Sequence, residues 1–325
     1  MASRGKSTPC IAVLTAITVC FILTGLPAAA QTDLRFDAYH DHAFINQWMQ
    51  ELSRESPETF RYEELGLSRG GRSIAMLVVT GPSGRAPGVY FNGAHHGNEK
   101  VSAEAVLGLI DWFRQNPDDD RARSILEHWT LYLQPVVNPD GHVSGSRFDL
   151  TGIDPNRDYG VPGRADIPAF RAPETRLVAG VLARHPIYAA AAIHSGMEAV
   201  LWPYCYTRKP NPLSAVFRHL SVKTAAAMDI NWVTQSSHDY YSTGEFIDYA
   251  FIKHGVLALT LEISLDNQPR PDRLPVVVDR SVRGALAFIE GLTTLPEHLV
   301  STREALPGAD IISTVRSKVK STRIH

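Results

Sequence analysis

Cysteine is nearly absent from this chain: three in 325 residues, at positions 10, 20 and 205. Two of them fall in the apolar N-terminal segment, so the rest of the chain holds a single thiol and no internal disulfide, and its stability must come from a packed core. An excess of charge of one sign is also missing. There are 32 Lys+Arg against 34 Asp+Glu, and setting Arg4 and Lys6 aside leaves 30 against 34, which provides no basic field for nucleic acid. Internal repeats and low-complexity linkers are absent, which argues against a repeat array. The G-x-S-x-G elbow is missing too, and Ser195 directly follows His194, so the two cannot face each other as nucleophile and base of a serine hydrolase.

One long hydrophobic run is present, Ile11 to Leu26, preceded by Arg4 and Lys6 and followed by Ala28-Ala29-Ala30. That layout predicts a secretory signal over residues 1–30 with cleavage after Ala30. A membrane anchor competes with this reading, but Thr15, Thr18, Thr24 and Gly25 dilute the run and Pro27 precedes the small-residue site. Val19 ahead of Cys20 does not suit lipoprotein processing. A secreted or periplasmic protein without a stable membrane anchor after signal removal is expected. About 295 residues then remain, a length that suits one large domain, taken as residues 31–298, followed by a solvated tail over 299–325. The stretch from Ala30 to Leu65 is too short for a folded inhibitory pro-domain, so no zymogen is expected.

Apolar runs rich in β-branched and aromatic residues alternate with segments of helical period, the pattern of an α/β domain with a central mixed, largely parallel twisted sheet flanked by helices on both faces. Strands are predicted at 73–79, 88–93, 131–137, 187–194 and 256–264, several reading as buried on both faces. Helices are predicted at 99–114, 174–184, 212–228, 245–253 and 277–292. In such sheets, groups that bind ligands gather beyond the carboxyl ends of strands. The segments "HHGNE" and "IHSG" both fall there.

A histidine followed three residues later by glutamate can hold one cation where strand turns into helix, and Gly97 and Asn98 permit that bend. A catalytic zinc takes three protein ligands, for which two histidines and a glutamate are one standard set, and keeps a fourth position open. His194, at the end of "AAAAIHSG", is a suitable third donor, although a buried, hydrogen-bonded histidine of the core would look the same. Glu262 interrupts the apolar run "LALTLEIS". A carboxylate there needs a cation, a metal or a catalytic task, and a structural salt bridge would equally satisfy it.

The ordered set "GAHHGNE", "VVNPDG", "GIDPNRDY", "APETR", "IHSG", "LWPYCY", "YYSTGEFIDYAF" and "LTLEIS" resembles the zinc carboxypeptidases of the carboxypeptidase A type, over nearly all of the domain. The resemblance implies one Zn2+ per chain held by His96, Glu99 and His194, with His95 a neighbour. It implies that Asp154 hydrogen-bonds and orients a metal-bound histidine. Asn156 and Arg157 would grip the terminal carboxylate of a peptide, a task the planar guanidinium fork performs better than lysine. Arg147 would polarise the scissile carbonyl, with Arg164 and Arg171 as alternatives, and Tyr240 would close over bound substrate, with Tyr241 as the off-by-one alternative. Pro155, Asp158 and Asn98 depart from the family pattern at subsite positions.

By the same resemblance Glu262 is the general base that takes a proton from a zinc-activated water and returns it to the leaving amine. Leu201, Cys205, Ile247 and Thr260 correspond to the side-chain pocket. None of the four is charged, which predicts a preference for apolar or aromatic C-terminal residues. The implied protein is a monomeric metallocarboxypeptidase acting on peptides. A zinc amidase of the same fold acting on peptidoglycan stem peptides or N-acyl amino acids is the alternative. A binding module that lost catalysis is disfavoured by retention of all three candidate ligands and Glu262.

Overall fold

The computed structural model describes Met1 and residues 34–299, apart from 83, 85 and 297. The chain divides into Met1–Leu34 and Arg35–His325, and the architecture below is that of the second unit. The expected signal at 1–30 and tail at 299–325 lie outside the described residues, save Met1 and Leu299. No helix of the described residues is long and apolar enough to cross a membrane.

Eight strands among the described residues make one sheet: β1 (Phe60–Leu67), β2 (Ser73–Val79), β3 (Gly88–Asn92), β4 (Thr130–Gln134), β5 (Ile187–His194), β6 (Met197–Trp202), β7 (Val233–Gln235) and β8 (Leu257–Ser264). Their spatial order is β1-β2-β4-β3-β5-β8-β6-β7. The four pairings β4/β3, β3/β5, β5/β8 and β6/β7 are parallel, and β1/β2, β2/β4 and β8/β6 are antiparallel, so the sheet is mixed and mostly parallel. The helices are α1 (His42–Glu55), α2 (Lys100–Gln115), α3 (Asp120–His128), α4 (Pro139–Ser144), α5 (Pro173–Arg184), α6 (Ser214–Ala227), α7 (Ser236–Asp239), α8 (Phe246–His254) and α9 (Leu274–Thr293).

Both faces of the sheet are covered, which explains why its central strands show no alternation of apolar and polar residues. Successive residues of β3 point to opposite faces: the Tyr90 ring meets Phe246 of α8 at a centroid distance of 6.0 Å, and Phe91 meets Phe288 of α9 at 6.1 Å. Every residue of β5 is buried, including the alanine run 189–192.

All five predicted strands and all five predicted helices are present, with ends displaced by up to three residues. The strands β1, β6 and β7 and the helices α1, α3, α4 and α7 were not predicted. The first of these strands lies at the edge of the sheet, with Leu67 exposed and its polar side chains partly solvated, so it lacks an apolar run. Helix α1 does carry a helical stripe, Ile45, Trp48, Met49 and Leu52, capped by Asp41, whose carboxylate accepts from the Phe44 amide at 2.8 Å.

After β3 the chain crosses to β4 on one side, whereas β5 later pairs on the other. The carboxyl ends of β3 and β5 therefore open at a switch point of the sheet, where the splayed connections leave room for a ligand. The candidate site is built there.

Candidate metal and substrate site

Residues 93–99 leave β3 as a loop that is fastened to the segment after β4. Val137 N–H donates to the Gly93 carbonyl and Asn138 N–H to the Ala94 carbonyl, both at 3.0 Å. The Asn138 side chain accepts from the Gly141 amide at 2.8 Å, capping α4, and its amide donates to the Phe148 carbonyl at 3.1 Å. Gly97 packs directly on that helix: a Cβ there would lie 1.9 Å from the Gly141 carbonyl carbon and 2.1 Å from the His142 nitrogen. Only glycine permits the approach. The "VVNPDG" segment is thus the scaffold of the "GAHHGNE" loop.

This packing brings His96 and Glu99 against His194 at the end of β5. The donor atoms of the three all lie within 4.8 Å of one another, and all three residues are buried. Glu99 spans the two rings, with Oε1 at 2.7 Å from His96 Nδ1 and Oε2 at 2.9 Å from His194 Nδ1. The opposite ring nitrogen of His96 is held from behind, with Nε2 at 3.0 Å from Asp154 Oδ1, while His194 Nε2 lies 3.3 Å from the Asn156 amide nitrogen. Two imidazoles and one carboxylate, converging and with His96 oriented by a carboxylate, form a set that fits zinc. His95 points elsewhere, with Nε2 at 2.8 Å from the Tyr159 hydroxyl. Burial lowers its pKa well below the usual imidazole value, and the neighbouring His194 and His96 lower it further.

Glu262 is the cross-strand partner of His194 in the β5/β8 pairing. Its Oε2 is buried and has no hydrogen-bond partner. Burial raises its pKa well above the ordinary carboxylate value, Glu99 and Glu245 add to the rise, and Arg147 opposes it. Among the described residues, no salt bridge satisfies Glu262. Arg147 instead donates from Nε to Asp154 Oδ2 at 2.9 Å, and its Nη1 reaches within 3.2 Å of His96 Nδ1 and 3.8 Å of Glu99 Oε1. The two alternative arginines are engaged elsewhere, Arg164 with Asp166 and Arg171 with Asp158.

Asp154 also begins the single turn Pro155–Arg157, accepting from the Asn156 amide at 2.9 Å. Asn156 in turn accepts from the Phe246 amide at 3.0 Å through Oδ1, which joins the metal side of the site to the start of α8. The Arg157 guanidinium carbon lies 6.0 Å from the centre of the Tyr240 ring. Tyr240 is partly buried while Tyr241 is exposed. Gly244, at φ +72°, keeps the turn against Arg157, where a Cβ would come within 2.4 Å of the Arg157 carbonyl oxygen.

The four expected pocket positions fall in two pairs. Leu201 and Thr260 are cross-strand partners in β6/β8, and Cys205 and Ile247 share one buried apolar cluster. All four are buried. One residue of this region was not foreseen. Glu245, immediately before α8 and 1% exposed, accepts from the Cys205 thiol through Oε2 at 3.2 Å and from the Tyr240 hydroxyl through Oε1 at 3.2 Å. The same Oε1 accepts from the Ser242 hydroxyl and pairs with Arg157 Nη1 at 3.3 Å. A faint signal for it exists: Glu245, at the N-cap of α8, and Asp248 stand three apart among the apolar residues Phe246, Ile247, Ala250 and Phe251.

Comparison with known proteins points to one family. A family model described as zinc carboxypeptidase matches residues 45–282. Carboxypeptidase SOL1 of Arabidopsis thaliana is 25% identical over 306 residues, covering 86% of this chain and 62% of that protein. Carboxypeptidase B of Astacus astacus is 29% identical over 139 residues, 38% of this chain and 45% of that protein. The chain therefore spans less than two thirds of the length of these relatives. A crystal structure of carboxypeptidase A from Helicoverpa armigera shares the fold, with a TM-score of 0.74 at 22% identity, covering 81% of this chain and 76% of that one.

Proposed function

Since this chain belongs to the zinc carboxypeptidase family, we propose that it is an exported enzyme that hydrolyses the last peptide bond of peptides, using one zinc ion held by His96, Glu99 and His194. The observation that carries the proposal is the adjacency of two devices: Asn156 touches the metal-side His194 at 3.3 Å, and the next residue is Arg157. A group able to seize a carboxylate thus sits one residue from a cluster able to activate water.

Bound at this cluster, zinc would supply Lewis acidity and a nucleophile at neutral pH. The chain's own residues do the rest. Arg157 and Asn156 fix the free carboxylate of the substrate, and Tyr240 closes the same end. Anchoring that end presents only the terminal peptide bond, so exopeptidase selectivity is a matter of position. Arg147 stands at the mouth of the cluster and stabilises negative charge on the carbonyl oxygen. Glu262 receives the proton of the attacking water at its unpartnered Oε2 and delivers it to the departing nitrogen. A raised pKa suits a group that must both take and give a proton.

Asp154 keeps His96 and Arg147 in register, because its two oxygens hold one each. The walls of the side-chain pocket are Leu201, Cys205, Ile247 and Thr260. Export rests on residues 1–30. The test is to measure zinc content and turnover of a blocked dipeptide before and after chelation. One zinc per chain, with activity that disappears on chelation and returns on adding zinc, supports the proposal. Full activity in the metal-free protein refutes it.

A further inference from the structure

Resting on the carboxypeptidase reading above, we infer that Asp149, clamped by Arg69 from the hairpin between β1 and β2, is a positioning residue that aims Arg147 and Asp154 at the metal cluster. Neither Asp149 nor Arg69 was among the residues expected at the site.

Arg147 and Asp154 stand seven residues apart and have to meet. Asp154 holds Arg147 through Oδ2 and His96 through Oδ1, so the path of the chain between 147 and 154 sets where the guanidinium points. The turn from Asp149 to Ile153 fixes that path. The Asp149 amide donates to the Ile153 carbonyl at 2.8 Å, and Asp149 Oδ1 accepts from the amides of Thr151 and Ile153, both at 2.8 Å. The Thr151 hydroxyl donates to the same oxygen at 2.9 Å. One residue thus ties both ends of the turn, with Arg147 two places ahead of it and Asp154 one place beyond its end.

A turn tied only to itself is free to swing as a unit. The hairpin 68–72 holds it down. The Asp149 side chain has no exposed surface, and Arg69 lies against it, with Nε at 3.4 Å from Oδ2. Arg69 Nη2 donates to the Arg171 carbonyl at 2.5 Å, which fixes the guanidinium from its other end. Burying a carboxylate without a cation is costly, and Arg69 supplies that cation. The same hairpin grips α4: Arg72 Nη1 donates to Asp140 Oδ1 at 2.6 Å, and the Gly70 amide donates to Asp140 Oδ2 at 2.8 Å. Since α4 is also the surface on which Gly97 packs, one hairpin braces the loop of His96 and the loop of Arg147 together.

The carboxylate grip is anchored from a different direction. Asn156 Oδ1 accepts from the Phe246 amide at 3.0 Å, and Arg157 pairs with Glu245 at 3.3 Å. Loosening the turn therefore misplaces Arg147 while the grip keeps its seat. The signature is a fall in kcat with KM little changed, because Arg147 meets charge that develops on the carbonyl oxygen only as the reaction proceeds. A displacement of about 1 Å costs on the order of 100-fold.

The experiment uses the zinc-loaded protein and its D149A, R69Q and R69K variants, with D149A also combined with R147A. Turnover of a blocked dipeptide gives kcat and KM, calorimetry gives the affinity for N-acetyl-phenylalanine, and NMR follows the Arg147 Nε–H signal, identified by its absence in R147A. In D149A kcat is expected to fall by about 10- to 100-fold, and in R69Q by about 3- to 30-fold, with R69K between R69Q and the parent. KM and N-acetyl-phenylalanine affinity should stay within about 3-fold of the parent while the Arg147 signal broadens. Once Arg147 is gone the turn has nothing to aim, so adding D149A to R147A should cost less than about 2-fold. Ligand affinity that falls as far as kcat, effects that multiply in the double variant, or an Arg147 signal unchanged in D149A overturns the assignment. If D149A fails to fold, R69Q, which alters a partly exposed side chain, decides by its kcat, its ligand affinity and its Arg147 signal. An Arg147 signal that broadens in the variants while the parent cleaves no dipeptide would sink the peptidase reading and leave the positioning role standing.

Discussion

Glu174 provides a quantitative test of how burial governs this fold. It sits at the start of α5 with no exposed surface, and neither of its carboxylate oxygens has a hydrogen-bond partner. Burial raises its pKa from 4.5 to about 7, with repulsion from Asp149 and Asp140 adding to the rise and its own backbone amide and Arg69 partly offsetting it. The difference of about 2.5 units is worth roughly 3 kcal/mol at 1.36 kcal/mol per unit. Water reaching the site beside the partly exposed Arg69 weakens the burial penalty, and halving the figure for it gives about 1.5 kcal/mol.

The sign follows from which state holds the proton more firmly. The folded state does, so the contribution to stability is full below the unfolded value near 4.5. It is lost as pH rises through about 7, and stays lost above. In Glu174→Gln no charge forms at any pH. The variant should therefore gain about 1.5 kcal/mol on the parent between pH 4.5 and 8, or roughly 3–5 °C in Tm. Urea or thermal unfolding of both proteins at pH 4.5, 6 and 8, with equal zinc loading, reads this directly. An unpaired amide adds a constant offset, so the change in the gap is the quantity to follow. A gap that does not vary with pH, or one that narrows toward pH 8, refutes the argument.

Three further outcomes are expected. Glu262→Gln keeps one zinc per chain by elemental analysis and loses about 10²–10⁴-fold in turnover; activity within a few-fold of the parent would place the base elsewhere. His96→Ala and His194→Ala lose zinc on dialysis, since each removes one of three donors, and retention of a full equivalent would show that the metal lies elsewhere. Gly97→Ala drives a methyl group into the backbone of α4, within 1.9 Å of Gly141. It should lower stability by about 1–3 kcal/mol and weaken zinc retention, which a thermal scan and a chelator titration would detect.

The metal cluster was legible because its chemistry is local to short segments at strand ends: His96 and Glu99 share one loop, and His194 and Glu262 interrupt apolar runs that otherwise demand burial. Tyr240 was reached only through the resemblance, from its interval to Asp248, and the structure places its ring 6.0 Å from the Arg157 guanidinium carbon. The choice of Arg147 over Arg164 and Arg171 was not decidable from spacing, since it depends on Asp166 and Asp158 having already engaged the other two. Glu245 escaped notice for a related reason. An acidic residue at the start of a helix ordinarily complements the helix dipole, and its burial here arises from Arg157, Cys205, Tyr240 and Ser242, which approach it only in the folded chain. Among the secondary structure, edge strands were the harder part. β1 mixes charged and apolar residues, and β7 has three residues and no pattern to read.

The Asn156 side chain touches His194 with its amide and the head of α8 with its oxygen, and this makes it a seam between two workshops. On one side, residues 93–157 hold most of the candidate metal cluster and its partners; on the other, residues 201–260 hold the proposed side-chain pocket. Such a partition lets selection, or an engineer, rework the admission side without retuning the cutting side, provided that the seam is left alone.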